Sequence, residues 1–191
     1  MNVTLIIPTI PGREEQLRRA VESAQSQSRP ADDILVYLDD EREGAGPTRN
    51  RALANVDTDW VAFLDDDDEL KPNHLRACAR HAWLTGADIV YPGYDTIGDD
   101  PIGCFGIPFD PVLLRQRNYI PVTVLARTDL VRDVGGFRDH PDEYGERCED
   151  WGLWLALLDA GAKFSHLAQR TWIWDCRRRY EEMMAVSDAS G

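Results

Sequence analysis

Residues 60–68 read Trp-Val-Ala-Phe-Leu-Asp-Asp-Asp-Asp, a short apolar run followed by four consecutive aspartates. The run predicts a buried β-strand because it is short, apolar and partly aromatic or β-branched. A buried strand of an open α/β sheet delivers the residues after it to the crevice in which such sheets bind ligands. Carboxylates gathered there repel one another, by about 3 kcal/mol for a close pair at an effective dielectric of about 20. The stretch is therefore either an acidic loop that caps the next helix or a divalent-cation site, and the surrounding elements favour the cation.

The first half of the chain alternates between strand and helix patterns. Apolar, β-branched runs predict strands at residues 3–7, 34–38, 60–64 and 89–91. Helical spacing of apolar residues predicts helices at residues 13–26, 48–55 and 73–85. This β-α-β-α-β-α-β order predicts a mostly parallel sheet with right-handed crossovers.

The second half is less regular. It predicts a long loop over residues 96–111, a strand at 122–126, a helix at 129–134, a polar irregular segment at 139–148, a helix at 150–160 and a strand at 163–167. The fold class is therefore α/β. With 191 residues, of which 43% are apolar, the chain is predicted to form one domain over residues 1–191.

The composition of the chain disfavours several classes of function. The net charge of −13 disfavours nucleic acid as a partner, because such binding usually needs a basic face. No apolar stretch approaches the roughly 18 residues of a membrane helix, and no basic region precedes an apolar core at the N-terminus. The four cysteines are scattered, without a CxxC pair, which favours a reduced, cytoplasmic protein.

Acidic residues recur at three points of the predicted fold. Asp39-Asp40 ends the second strand, Asp65 to Asp68 end the third, and Glu149-Asp150 opens a late helix. The carboxyl ends of parallel strands share one edge of a sheet, so the first two groups are predicted to be neighbours. An acidic residue at a helix start is ordinarily a cap, which is the alternative interpretation of Asp150.

Taken together, these segments resemble a family 2-type glycosyltransferase with the GT-A fold. The similarity runs from about residue 3 to about residue 174. It rests on Leu5-Ile6-Ile7-Pro8-Thr9, on Asp39-Asp40, on the "ARN"-like helix Thr48-Arg49-Asn50-Arg51-Ala52-Leu53, on the DxD region Phe63-Leu64-Asp65-Asp66-Asp67-Asp68, on Gly135-Gly136-Phe137, and on the "EDW..WL" segment from Glu149 to Leu155. Each motif alone is weak, but six in order at familiar spacing are a strong signal.

The resemblance implies a GT-A, Rossmann-like architecture with a mostly parallel central sheet flanked by helices. Residues of about 1–95 would form the nucleotide-sugar-binding half. Residues of about 96–180 would form a smaller, irregular acceptor-side half that carries the catalytic base.

The resemblance also implies roles for individual residues. Asp150 would be the catalytic base, with Glu149 and Trp151 on the acceptor side. Asp67 would bind Mn²⁺ or Mg²⁺, with Asp65 and Asp175 as lesser candidates. A helix cap is the alternative interpretation of Asp175, and the position of Asp68 at the end of the run is interpreted as only a cap of the next helix. The donor nucleotide would contact residues from three strand ends and one helix, namely Pro8, Thr9, Asp39, Asp40, Arg49, Asp65 and Asp66. Among these, Asp40 is expected on the nucleobase ahead of Asp39.

Two positions depart from the family pattern. Family members often carry an acidic residue two places after the catalytic aspartate, where this chain has Gly152. Many GT-A enzymes also supply a late histidine near the metal, where this chain offers Asp175.

The implied activity is a metal-dependent, inverting, hexosyltransferase-type transfer of one sugar from a nucleotide-diphosphate sugar to an acceptor hydroxyl. A glycan, a protein, a lipid and a small molecule all stay open as acceptor. One alternative is a non-catalytic nucleotide-sugar-binding module, which would keep the acidic residues but need no base. A sugar-nucleotide pyrophosphorylase is disfavoured, since the loop over residues 8–13 has one glycine instead of a Gly-rich phosphate loop.

Overall fold

A computed structural model of the chain describes residues 1–98, 106–140 and 148–177. Its strands are β1 (Val3–Thr9), β2 (Asp33–Leu38), β3 (Trp60–Phe63), β4 (Glu69–Leu70), β5 (Ile89–Ile97), β6 (Leu125–Arg127) and β7 (Phe164–Asp175). Its helices are α1 (Glu14–Gln25), α2 (Ala45–Leu53), α3 (His74–Thr85), α4 (Pro111–Leu114), α5 (Thr128–Asp133) and α6 (Glu149–Asp159).

The strands form one seven-stranded sheet in the order β2-β1-β3-β6-β5-β7-β4. β2, β1 and β3 are parallel neighbours, and β5 and β7 are parallel to each other. β6 lies antiparallel between β3 and β5, so β3 and β5 point the same way, while β4 runs antiparallel to β7. The predicted mostly parallel α/β sheet is confirmed, and the strand ends that carry acidic residues share one edge.

Each face of the sheet carries its own apolar core. Along β3, Val61 and Phe63 face one core while Ala62 and Leu64 face the other, as the alternation of side chains along a strand requires. Residues of α1 and α3 cover one face, and residues of α2, α5 and α6 cover the other. The run before the four aspartates is therefore buried on both sides, as its unbroken apolar character predicts.

Two short elements were not predicted. β4 has only two residues, and its pairing with the distant β7 cannot be read from local sequence. α4 begins where Asp110 accepts backbone N–H bonds from Val112 and Leu113, with Pro111 in the first turn. Asp110 is therefore an ordinary N-cap that is followed by a proline in the first turn. Both residues lie at the end of the segment that was predicted to be a loop.

The paired strands β5 and β7 run further than predicted, to Ile97 and Asp175. Register shifts on both sides of Gly93 interrupt the ladder between them. Such irregularities break the two-residue periodicity on which strand prediction rests. The predicted irregular segments fall partly outside the described residues, since 99–105 belong to the loop at 96–111 and 141–147 to the segment at 139–148.

Within the described ranges, no helix combines the length and the apolar character that crossing a membrane requires. The prediction of a single domain over the whole chain stays a prediction.

Gly152, the departure from the family pattern, lies where α6 packs closely on the backbone of Arg138. A Cβ atom at Gly152 would overlap the carbonyl oxygen of Arg138 and come within 2.9 Å of its Cγ. An acidic side chain therefore has no room at this position.

We expect Gly152→Ala to destabilise the fold. Alanine favours a helix over glycine by about 1 kcal/mol, but forced overlap in a packed site usually costs about 1–3 kcal/mol, and here a backbone atom must move. Urea unfolding at equilibrium measures the difference. An unchanged or higher free energy of unfolding would contradict the close packing.

Candidate active site

The carboxyl ends of β1 and β3 lie side by side, and a hydrogen bond joins them. Thr9, the last residue of β1, donates its hydroxyl to Asp66 Oδ2 at 2.7 Å. Both residues are buried. Because β1 and β3 are parallel neighbours, the turn after β1 reaches the aspartates that follow β3, in agreement with the donor role that the resemblance implies for Pro8 and Thr9.

Arg13 brings positive charge to this acidic edge. Its Nη1 lies 2.5 Å from Asp66 Oδ1 and 3.4 Å from Asp67 Oδ2. The sequence pattern did not single out Arg13 for the site. Its place in the loop between β1 and α1 is the signal that could have indicated it, since that loop opens onto the ligand crevice.

Three of the four aspartates form a group suited to a divalent cation. One carboxylate oxygen from each of Asp65, Asp67 and Asp68 lies within 4.8 Å of the other two. Burial, and then the charge of Asp65, raises the pKa of Asp68 well above its usual range. The prediction that Asp68 only caps the next helix is wrong, because it accepts a hydrogen bond from Asp175 N at 3.0 Å and α3 begins only at His74.

Asp175 does not join this group through its side chain. Its carboxylate pairs with Arg177 and lies 3.8 Å from Arg19 Nη2. The residue ends β7, and its Oδ1 accepts the backbone N–H of Arg177 at 3.2 Å. Its contacts therefore disfavour the predicted role as a metal ligand, and it contributes to the site through the backbone N–H that Asp68 accepts.

The acidic pair after β2 is divided between two environments. Asp39 is buried and accepts the backbone N–H groups of Glu43 and Gly44 at 2.9 and 2.8 Å, which closes the turn into α2. Asp40 is exposed. Asp39, not Asp40, lines the cavity beside the aspartates, so the expected precedence of Asp40 receives no support from the structure.

Arg49 joins the aspartates to the start of α6. Only 2% of this residue is exposed, and its guanidinium pairs with Asp65 and, at 2.7 Å, with Glu149 Oε1. The ring of Phe137, from the "GGF" segment, lies 5.2 Å from the guanidinium carbon. Burial opposes the charge of Arg49, but the two carboxylates outweigh it and raise its pKa.

Glu149 lines the same cavity as the aspartates. Its expected place on the acceptor side stays a prediction. It packs against Gly46 of α2, where a Cβ atom would come within 2.9 Å of Glu149 Cγ. Because α2 and α6 are far apart in the sequence, local sequence patterns do not predict this contact.

The cavity itself has a volume of about 230 Å³. It brings together the predicted donor residues except Asp40. Its lining consists of Pro8, Thr9, Ile10, Arg13, Asp39, Gly44, Ala45, Thr48, Arg49, Asp65, Asp66, Asp67 and Glu149.

Asp150 follows Glu149 in the first turn of α6. Its Oδ1 accepts hydrogen bonds from Trp151 N at 2.8 Å and from Asn118 Nδ2 at 3.1 Å. The residue keeps some solvent exposure, yet burial and then the charge of Glu149 raise the pKa of Asp150 to about 7. A carboxyl with such a pKa can exchange a proton near neutral pH.

Trp151 lies in the core. It is 5% exposed, and its indole Nε1 donates to Leu114 O at 2.7 Å. This position favours packing over the predicted contact with an acceptor. Asn118 was missed altogether, since nothing in the local sequence around it indicates a partner 32 residues further along the chain.

The model of the family "Glycosyl transferase family 2" matches residues 31–106 of the chain. The match includes Asp39, Arg49 and all four consecutive aspartates. The predicted resemblance to family 2 is confirmed. Asp150 and α6 lie beyond the part of the chain that the family 2 match covers.

Among curated proteins, the chain is similar to the pre-mycofactocin glycosyltransferase of Mycobacterium tuberculosis. The two are 29% identical over 147 residues, which cover 70% of this chain and 30% of that protein. It is also 28% identical over 153 residues to the O-antigen biosynthesis protein RfbC of Myxococcus xanthus, covering 78% of this chain and 11% of that one. The chain thus spans less than a third of the length of these relatives.

The fold is similar to that of S. aureus TarS. The TM-score is 0.71 at 18% identity, covering 97% of this chain and 64% of the TarS 1–349 chain. The structure of TarS 1–349 in complex with UDP-GlcNAc gives a TM-score of 0.69, covering 93% of this chain and 59% of that one. The predicted GT-A-like fold is confirmed.

The raised pKa of Asp150 predicts a pH-dependent gain in stability for Asp150→Asn. The ordinary pKa is 3.8 and the folded value about 7, so ionisation of Asp150 between these pH values weakens the fold. Asparagine has the same shape and no charge. The melting temperature of the variant should therefore match the wild type below about pH 4 and exceed it by a margin that grows up to about pH 7.

Asp159→Asn is the matched control, because Asp159 is an exposed carboxylate on the same helix. A difference between Asp150→Asn and wild type that stays constant from pH 5 to pH 8 would contradict the raised pKa.

Proposed function

We propose that the chain transfers one sugar from a nucleotide-diphosphate sugar to an acceptor hydroxyl, with a divalent cation at the aspartates and inversion at the anomeric carbon. The observation that carries the proposal is the pairing of two unlike sites by Arg49. On one side Arg49 pairs with Asp65 of the acidic cavity, and on the other with Glu149, whose neighbour Asp150 is a carboxyl with a pKa of about 7. Titratable groups tuned to different pKa values are typical of acid–base catalysis.

The aspartate group fits a hard divalent cation such as Mg²⁺ or Mn²⁺. Its donors are carboxylate oxygens from Asp65, Asp67 and Asp68, which such ions prefer. Burial, and then the charge of Asp65, raises the pKa of Asp68, so a bound cation would favour its ionised form. When bound, the ion would neutralise charge that develops on the diphosphate leaving group.

The side chains around the cavity fit the rest of a donor. Arg13 and Arg49 offer guanidinium groups to a diphosphate, and the buried Nε of Arg49 has no hydrogen-bond partner within the described residues. The turn closed by Asp39 forms a wall for the nucleoside. The neighbour whose structure is described as a complex with UDP-GlcNAc supports a nucleotide sugar as the donor class.

Asp150 would serve as the general base. It would take the proton of the acceptor hydroxyl while that oxygen bonds to the anomeric carbon and the bond from carbon to diphosphate oxygen breaks. One in-line displacement with a single base inverts the stereochemistry. A purely binding module would gain nothing from a carboxyl at position 150 whose ionisation weakens the fold.

A thermal-shift panel tests the donor and the cation together. Nucleoside diphosphates and their sugars are screened with and without Mn²⁺, since a ligand of the folded state raises the melting temperature. We expect nucleotides of one base type to raise the melting temperature of the wild type, and to raise it more with Mn²⁺ than without. The Asp67→Ala variant should lose the additional rise that depends on Mn²⁺. Asp57→Ala, an exposed aspartate before β3, is the control. If the thermal shifts of Asp67→Ala and wild type depend equally on Mn²⁺, the cation binds at another place.

Asp150→Asn tests the base. Turnover is followed as release of the nucleoside diphosphate from the donor that the panel identifies, with water or an added hydroxyl compound as acceptor. We expect a fall of at least about 100-fold with the donor's thermal shift retained, and no such fall in Asp159→Asn. Full turnover in Asp150→Asn would remove it as the base, while binding without turnover in the wild type would favour the non-catalytic alternative.

A further inference from the structure

The two oxygens of the Asp150 carboxylate have unequal surroundings. Oδ1 accepts two N–H groups, from Trp151 N and from Asn118 Nδ2. Across residues 1–98, 106–140 and 148–177, Oδ2 receives no hydrogen bond. Within these residues the carboxylate is thus held through Oδ1 alone.

The amide of Asn118 is oriented by a second contact. Its Oδ1 accepts the backbone N–H of Ile120 at 3.2 Å, so its Nδ2 faces Asp150. Rotating the amide by half a turn would set its NH₂ group against a backbone N–H and its oxygen against a carboxylate. Both contacts would be repulsive, so Asn118 can only donate to Asp150.

Two indoles fix the segment that carries Asn118. Trp151 Nε1 donates to Leu114 O at 2.7 Å, and Trp154 Nε1 donates to Ile120 O at 3.0 Å. The two tryptophans are three residues apart in α6 and therefore lie on neighbouring parts of one helix face. Both are buried. Their acceptors stand on either side of Asn118 in the chain, so the helix that carries Asp150 also holds its partner in place.

We propose that Asn118 is the positioning residue of the base: held through Trp151 and Trp154, it anchors Oδ1 of Asp150 so that Oδ2 takes the acceptor's proton. The inference rests on the proposed function, in which Asp150 is the base. It gives the two tryptophans of the "EDW..WL" segment a physical role, because their indole N–H groups hold the segment that carries Asn118.

The charges around Asp150 explain why a neutral donor is useful there. Glu149 on the same helix disfavours the ionised carboxylate, while Arg49 on α2 favours it. Arg49 is already engaged with Asp65 and Glu149. The amide of Asn118 stabilises the ionised form at short range without a second cation that would hold the carboxylate too strongly to accept a proton.

Asn118→Ala and Asn118→Ser test the proposal by a measurement that needs no turnover. The carboxyl carbon of Asp150 is followed by ¹³C NMR over pH in protein labelled at aspartate, and its signal is assigned by its loss in Asp150→Asn. Removing the N–H donor should shift the titration of Asp150 toward higher pH, by about one pH unit. Asn55→Ala, an exposed asparagine that donates to Arg51 O and Tyr37 Oη, is the control and should titrate like the wild type.

Turnover provides the second readout. In both Asn118 variants we expect kcat at pH 7 to fall about tenfold, the acid limb of the kcat profile to move to higher pH, and the donor KM to stay unchanged. Trp154→Phe keeps a large ring but removes the indole N–H, so it should move kcat and the titration in the same direction by a smaller amount.

The outcomes separate this proposal from the proposed function. If the Asn118 variants titrate and turn over like the wild type while Asp150→Asn is inactive, Asn118 is not the positioning residue. If Asp150→Asn retains full turnover, the assignment of the base fails first. A loss of donor-induced thermal shift in Asn118→Ala and Asn118→Ser would indicate general damage to the fold and would also overturn the specific role.

Discussion

The buried guanidinium of Arg49 is the interaction on which the candidate site depends. It stands on α2, pairs with Asp65 after β3 and with Glu149 at the start of α6, and lies against the ring of Phe137. Removing one partner of a buried ion pair is far more damaging than the net value of the pair suggests. A single side chain therefore ties the acidic cavity to the helix of the candidate base.

Charge balance explains the arrangement around that guanidinium. The chain has a net charge of −13, and several carboxylates meet at one sheet edge. Arg13 offsets Asp66 and Asp67, and Arg49 offsets Asp65 and Glu149. The buried Asp68 has no such partner among these arginines, which is consistent with a place for a divalent cation. Further out, Arg19 and Arg177 hold the carboxylate of Asp175 away from this role.

Much of the fold was predictable from sequence, because the apolar pattern of the first half follows simple periods. The strands that precede Asp39 and Asp65, and the helix between these strands, lie within a few residues of their predicted bounds. The misses have physical causes. β4 exists only because β7 pairs with it, and β7 continues past an irregular ladder at Gly93. Pairing across such distances leaves no local periodicity to read.

For the site, the order of strands along the chain indicated which acidic groups meet at one edge of the sheet, since parallel strands deliver their ends together. It predicted Asp39 and the four aspartates as neighbours, while the family resemblance added Thr9 and Arg49. Long-range packing, which the sequence does not show, sets the side chains that turn inward: Asp39 and not Asp40 lines the cavity, Glu149 contacts Arg49, and Asn118 contacts Asp150. Those choices depend on contacts between segments far apart in the chain, whose directions are set by packing and not by local pattern.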